Sequence, residues 1–199
     1  MASPVKPNNS PQVFNVPNQL STARLVLAIA VFILIPWKMY LAALIVFVIA
    51  ASTDWMDGYW ARRFGQITKV GRILDPFVDK IIICGTFIFL AAEKDAGIAA
   101  WMAVVVVGRE LMVTALRSAV ESGGGDFSAK WSGKWKMVAQ CVAAGASLVV
   151  LMQGDLPVEA WLSWTLLAAT WLAVLLTIYS GLEYLFIAVK QLRGKGTEQ

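Results

Sequence analysis

The sequence predicts an all-α protein: a polytopic membrane bundle of six transmembrane helices with a polar cavity open to the cytoplasm. Three observations predict it. Of 199 residues, 58% are hydrophobic and only 15% charged, with a mean hydropathy of +0.66; a soluble domain carries about 25% charged residues. Six apolar runs recur along the chain, at 25–37, 39–51, 81–92, 96–108, 137–152 and 160–179. Finally, 15 of the 17 Lys and Arg residues lie at or near one set of run ends, with only Lys38 and Lys94 at the other. The positive-inside rule makes the basic side cytoplasmic. At roughly 20 residues per span there is no room for a separate soluble domain. The chain divides into a polar tail (1–17), one membrane domain (18–192) and a short C-terminal tail (193–199).

Each element has its own justification. The N-terminal stretch is Pro- and Asn-rich. It lacks a basic segment running into an apolar core, so it does not read as a cleaved signal. The first four runs are 12 or 13 residues long, short for spans. Each is extended at one end by a polar, helix-compatible stretch: "NQLSTAR" before the first, "STDWMDGYWARRF" after the second, "DPFVDK" before the third, "RELMVTALR" after the fourth. If the helices alternate in direction, all four polar ends meet on the cytoplasmic side, joined by "KWSGKWK" before run five and by the C-terminal tail. The opposite connections are short: Trp37-Lys38, "EKDAG" and "QGDLPVE". Both termini are then cytoplasmic. "ESGGGDFSAK" is a flexible loop; it lacks the spacing of a phosphate-cradling glycine loop. Cys84 and Cys141 sit in apolar runs as small hydrophobes.

The chemistry concentrates in "DWMDGYWARRFGQITKVGRILDPFVD", residues 54–79, which holds four aspartates. On a helix continuing run two, Asp54, Asp57, Gly58, Ala61 and Arg62 cover an arc of roughly 140°, one face. Gly58 and Ala61 leave a notch where a flat group can approach the backbone. Arg62 supplies a planar fork suited to phosphate oxygens. Asp75 precedes Pro76 and reads as the N-cap of a new helix; Asp79 lies one turn on, on the same face. Gly71 lets the connecting segment come close. The chain contains no histidine, so a metal site must be built mainly from oxygen. Carboxylates suit Mg²⁺, Mn²⁺ or Ca²⁺, and two divalent ions form the usual clamp for displacement at phosphorus. Solvated charges paired with Arg62, Arg63, Lys69 and Arg72 would account for any one aspartate, but not for the joint spacing.

That stretch resembles the signature of the CDP-alcohol phosphatidyltransferase family, D-x2-D-G-x2-A-R-x8-G-x3-D-x3-D. Asp54, Asp57, Gly58, Ala61, Arg62, Gly71, Asp75 and Asp79 stand at its fixed positions. The resemblance implies transfer of a phosphatidyl group from a CDP-linked lipid to an alcohol, with release of CMP. It implies two divalent cations, Mg²⁺ or Mn²⁺, held by Asp54, Asp57, Asp75 and Asp79. It makes Asp79 the candidate base for the acceptor hydroxyl as well. The Gly58/Ala61 notch would take the cytidine, with Asp57 and Gly71 near it, and Arg62 would hold the diphosphate.

Other stretches bear on the acceptor. "GRELMVTALR" carries Arg109 and Arg117 within roughly 80° of each other on a helix, and "GKWK" places Lys134 and Lys136 before run five. These suggest an anionic acceptor, most simply a phosphate. Snorkelling or headgroup contact is the competing reading, and Glu110 could pair with an arginine. Together with "NVPNQLSTARL", these stretches look like the phosphatidylglycerophosphate synthase branch of the family. They depart slightly at Ser21, where Thr is commoner. That likeness implies CDP-diacylglycerol and sn-glycerol 3-phosphate as substrates. Inositol phosphate, phosphatidylglycerol and serine remain alternative acceptors. A cation transporter would need polar groups through the midplane, which is apolar in every run; a non-catalytic scaffold leaves the aspartate spacing unexplained. "CVAAGAS" in run five offers small residues for close helix packing, and with the resemblance it suggests a homodimer. The expected location is the cytoplasmic (inner) membrane of a bacterium, with the active site facing the cytoplasm and no nucleic-acid partner.

Overall fold

A computed structural model describes residues 16–64, 71–122, 131–154 and 156–195. Among them the chain is all-helical, in six helices: α1 (Val16–Leu34), α2 (Tyr40–Phe64), α3 (Gly71–Ala92), α4 (Ala100–Ser122), α5 (Trp131–Met152) and α6 (Ala160–Lys195). Every apolar run falls on its own helix, and the polar stretches that flank the runs are helical too. The three short connections are tight turns. In them Lys38, Asp95, Gly97 and Gly154 take positive φ, the left-handed conformation that closes a helix C-terminus. Gly97 is required twice over: its φ is +69°, and a Cβ there would run into the Leu166 side chain.

The packing order is not sequential. α1 lies on α2 and α3; α5 lies on α6, α2 and α3; α4 lies on α3 and α6. The two helices that carry the aspartates, α2 and α3, therefore both rest on α1 and on α5. The main core joins Val31, Ile35, Phe47, Phe87, Leu90 and Leu148. Phe32 and Phe89 stack at its edge with centroids 5.2 Å apart.

The exterior is unlike that of a water-soluble domain. Thr86, Gln140, Ser147, Thr177 and Ser180 are fully buried, while Val104, Leu111, Trp164 and Phe186 are exposed along with many other large apolar side chains. Such an apolar exterior is costly in water and costs nothing in hydrocarbon. Two helical stretches, Trp131–Met152 and Ala160–Gln191, are long and apolar enough to cross a membrane by length and composition. The apolar stretches of α1, α2 and α3 are shorter.

One expectation is corrected. Asp75 is not an N-cap: α3 begins at Gly71, so Asp75-Pro76 lies inside it. Pro76 forfeits one backbone bond, to residue 72, near the helix start, where the loss is smallest. Residues 75 and 79 remain one turn apart on one helix. Within "CVAAGAS", Ala143, Ala144 and Ser147 face the inside of the same chain, and Ser147 Oγ donates to the Ala96 carbonyl at 2.6 Å. These three supply close packing within the bundle.

The α1–α3 contact depends on Gly85, where a Cβ would fall on the Phe32 ring. Gly85→Ala is expected to destabilise the fold by about 1–3 kcal/mol through overpacking. Thermal unfolding in detergent checks this: an unchanged midpoint would mean that the ring moves aside at no cost.

Candidate active site

One end of the bundle, where α3 and α5 begin and α4 ends, holds a cavity of about 260 Å³. Helix α4 presents Arg109, Glu110, Val113, Thr114 and Arg117 to it. These positions recur at intervals of three and four residues and so share one face. Helix α5 contributes Gly133, Lys134, Lys136, Met137 and Gln140; α3 contributes Lys80 and Ile83; α6 contributes Tyr184.

The wall is tied together by polar contacts in low-dielectric surroundings. Arg109 is almost wholly buried. Its Nε donates to Ser180 Oγ at 3.2 Å, its Nη1 pairs with Glu110 Oε1 at 3.2 Å, and its guanidinium carbon lies 5.4 Å from the centre of the Tyr184 ring. Lys136, also buried, forms an ion pair with the same Glu110 oxygen. Lys80 Nζ donates to Thr114 Oγ1 at 2.5 Å, which donates in turn to the Glu110 carbonyl at 2.6 Å. At the mouth, Ser132 Oγ donates to Glu183 Oε2 at 2.5 Å, joining α5 to α6. Gly181 lets Arg109 come close to α6, since a Cβ there would stand 3.1 Å from Arg109 Cγ.

Five cationic side chains thus line one small cavity, against a single carboxylate, Glu110, among its described lining residues. Glu110 is shared by Arg109 and Lys136. Like charges this close are unfavourable unless an anion joins them. A guanidinium carries five N–H donors in a fork that matches phosphate oxygens. The arrangement is chemically suited to a compact, multiply charged anion.

All four basic residues singled out in the sequence, Arg109, Arg117, Lys134 and Lys136, meet in this cavity. Arg109 and Lys136 are buried, so neither snorkels. Lys134 is exposed, with its ammonium 4.9 Å from the centre of the Trp131 ring. Glu110 does pair with an arginine. The sequence reading missed Lys80, Gln140, Thr177, Ser180 and Tyr184. Spacing held part of the signal: Thr177, Ser180 and Tyr184 are i, i+3 and i+7 on the otherwise apolar α6, and Gln140 follows Lys136 by one turn.

The aspartate segment occupies the ends of α2 and α3. Asp54, Asp57, Gly58, Ala61 and Arg62 fall on α2; Gly71, Asp75 and Asp79 fall on α3. Their side chains lie outside the described residues. Helix register relates the segment to the cavity nonetheless. Position 79 adjoins Lys80 and precedes Ile83 by one turn, and both of those residues line the cavity.

A sequence model of CDP-alcohol phosphatidyltransferases matches residues 14–179. The chain belongs to that family. As a CDP-alcohol phosphatidyltransferase it is similar over nearly its full length to proteins named CDP-diacylglycerol–glycerol-3-phosphate 3-phosphatidyltransferase. The one from Bacillus subtilis (strain 168) is 36% identical over 188 residues, 86% of this chain and 94% of the relative. The one from Pseudomonas fluorescens is 36% identical over 196 residues, 93% and 95% respectively. That from Escherichia coli (strain K12) is 33% identical over 181 residues, 88% and 95%. The family match covers both the aspartate segment and the basic residues that line the cavity.

Proposed function

We propose that the protein transfers the phosphatidyl group of CDP-diacylglycerol to sn-glycerol 3-phosphate, giving phosphatidylglycerophosphate and CMP. The observation that carries this reading is the cavity itself. Its five cations surround a volume suited to a small phosphate ester, one turn of α3 away from position 79. The names of the relatives point to the same pair of substrates.

The reaction is a displacement at the phosphorus that bears the diacylglycerol. The acceptor hydroxyl oxygen bonds to that phosphorus, the bond to the CMP oxygen breaks, and the hydroxyl proton passes to Asp79. An alcohol has a pKa far above 7, so a positioned base lowers the barrier. Arg62 holds the diphosphate, and Gly58 and Ala61 leave space for the cytidine beside Asp57 and Gly71. Arg109, Arg117, Lys134 and Lys136 hold the acceptor phosphate, bringing its far hydroxyl toward the aspartates.

Two divalent cations, Mg²⁺ or Mn²⁺, fit the donor set. Asp54 and Asp57 on α2 and Asp75 and Asp79 on α3 would hold them, on helices that share α1 and α5 as neighbours. Four carboxylates without histidine are hard oxygen donors of the kind these ions prefer. Bound there, the ions supply positive charge to the diphosphate and to the departing CMP.

The apolar exterior supports one membrane domain over residues 18–192, with all six helices crossing the bilayer. Helices α1 to α4 reach across by their polar ends, because polar groups at membrane depth are tolerated when they face the bundle interior or line a cavity. The bias of Lys and Arg puts the cavity and both termini on the cytoplasmic side of a bacterial inner membrane. A homodimer rests on the family resemblance alone.

The test is CMP release by the purified protein with CDP-diacylglycerol and Mg²⁺. The acceptors compared are glycerol 3-phosphate, inositol phosphate, serine and phosphatidylglycerol, with EDTA as control. Release with glycerol 3-phosphate alone, lost in EDTA, is the expected result. Release with another acceptor only would keep the catalytic site and overturn the assignment of the cavity.

A further inference from the structure

Gln140 is fully buried in the wall of the basic cavity. Its Nε2 donates to Thr177 Oγ1 at 2.9 Å. Thr177 Oγ1 spends its own hydrogen on the Ala173 carbonyl, at 2.6 Å. A hydroxyl has one hydrogen to give, so Thr177 can only accept from Gln140. That fixes which way the amide faces: the nitrogen must point at Thr177 and the oxygen away from it. The amide oxygen, Oε1, is buried and has no hydrogen-bond partner among the described residues. A buried acceptor left unsatisfied is costly and uncommon. One that lies in the wall of a ligand cavity is suited to a donor that the ligand brings.

The cavity narrows what that donor is. Lysines and arginines would hold the phosphate of the acceptor, and phosphate oxygens accept hydrogen bonds rather than donate them. The donor must come from the carbon end of the molecule. Gln140 lies one helical turn beyond Lys136, about 6 Å along the α5 axis, comparable to the reach of a three-carbon phosphate ester. Glycerol 3-phosphate carries two hydroxyls. The primary one attacks and gives up its proton to the base. The secondary one, on the central carbon, is not consumed.

We infer that Gln140 is a specificity-determining residue, whose Oε1 accepts a hydrogen bond from the secondary hydroxyl of the acceptor. The inference rests on the proposed function, in that the cavity binds a glycerol phosphate. Thr177 of α6 holds the amide nitrogen, which fixes the orientation of the oxygen. A polyol phosphate satisfies it; an acceptor with the same chain length and no secondary hydroxyl leaves it unpaired. Loss of such a hydrogen bond in a buried site discriminates strongly between substrates.

The test compares glycerol 3-phosphate with 3-hydroxypropyl phosphate, which lacks only the secondary hydroxyl, in the full-length protein with CDP-diacylglycerol. The wild type is expected to prefer glycerol 3-phosphate by at least about tenfold in kcat/KM. In Gln140→Met, which keeps the length and removes the acceptor oxygen, the preference is expected to fall below about threefold. In Gln140→Glu, which keeps an acceptor oxygen in place, the preference survives even if its charge weakens binding of both phosphates. Should Gln140→Met not be recovered folded, Gln140→Asn carries the same expectation, since it withdraws the oxygen by one methylene. Two results would overturn the inference. A wild type that uses both acceptors equally leaves Gln140 nothing to read. A Gln140→Met variant slowed equally with both acceptors makes the residue a strut between α5 and α6. In either case turnover of glycerol 3-phosphate by the wild type leaves the proposed function standing, whereas its absence removes that reading first.

Discussion

Asp79→Asn is expected to lower CMP release by about 10³-fold or more, within the range for loss of a general base, while CDP-diacylglycerol still binds. Asparagine keeps the shape and one carbonyl oxygen, and loses both the charge and the ability to take a proton. The expectation rests on helix register: Lys80 and Ile83, the neighbour of position 79 and the residue one turn on, line the cavity where the acceptor phosphate is proposed to sit. The measurement is single-turnover CMP release, with lipid binding followed separately by thermal shift. A variant that keeps most of its activity would assign the proton to another group. A variant that loses lipid binding as completely as turnover would make residue 79 a binding group first.

The second large effect is on the acceptor. Arg117→Ala and Arg109→Ala are each expected to raise the KM for glycerol 3-phosphate at least about tenfold, because a charge-assisted bond to phosphate is worth roughly 1.5–3 kcal/mol. The KM for CDP-diacylglycerol should hardly change. The two variants differ in what else they disturb. Arg109 is bonded to Ser180 and Glu110 and lies against Tyr184, so its removal also leaves Glu110 with less compensation and loosens the α4–α6 contact. Arg109→Lys separates the effects: it keeps the charge and gives up the fork. If KM rises for Arg109→Lys as well, bidentate geometry matters. If neither arginine changes the acceptor KM on replacement by Ala, the phosphate site is elsewhere.

Much of the fold was legible because the signals were local. Each helix followed from an apolar run and its flanks, and the short turns followed from the gaps between runs. The four aspartates could be paired two and two by counting residues along a helix. The helix start before Asp75 was misplaced because Asp-Pro is a strong local cap signal, while continuity of the helix from Gly71 depends on its packing partners. The neighbours of the small residues of α5 were not legible for a related reason. A stripe of alanine and glycine marks close packing without naming the neighbour.

The cavity was only half legible. Arg109, Arg117, Lys134 and Lys136 stood out because charges are rare in such a chain. Gln140, Thr177, Ser180 and Tyr184 did not, since each is unremarked in an apolar helix until another helix is laid against it. The sequence by itself determined the class of protein, the helices, the aspartate spacing and the basic residues. These are set by composition and by the 3.6-residue period, which act within one segment. Only the tertiary structure decided that basic residues from α3, α4 and α5 share one cavity with Glu110 between them. It alone oriented the Gln140 amide against Thr177. Such contacts join residues 26 to 71 positions apart, and no local period fixes which faces of distant helices will meet.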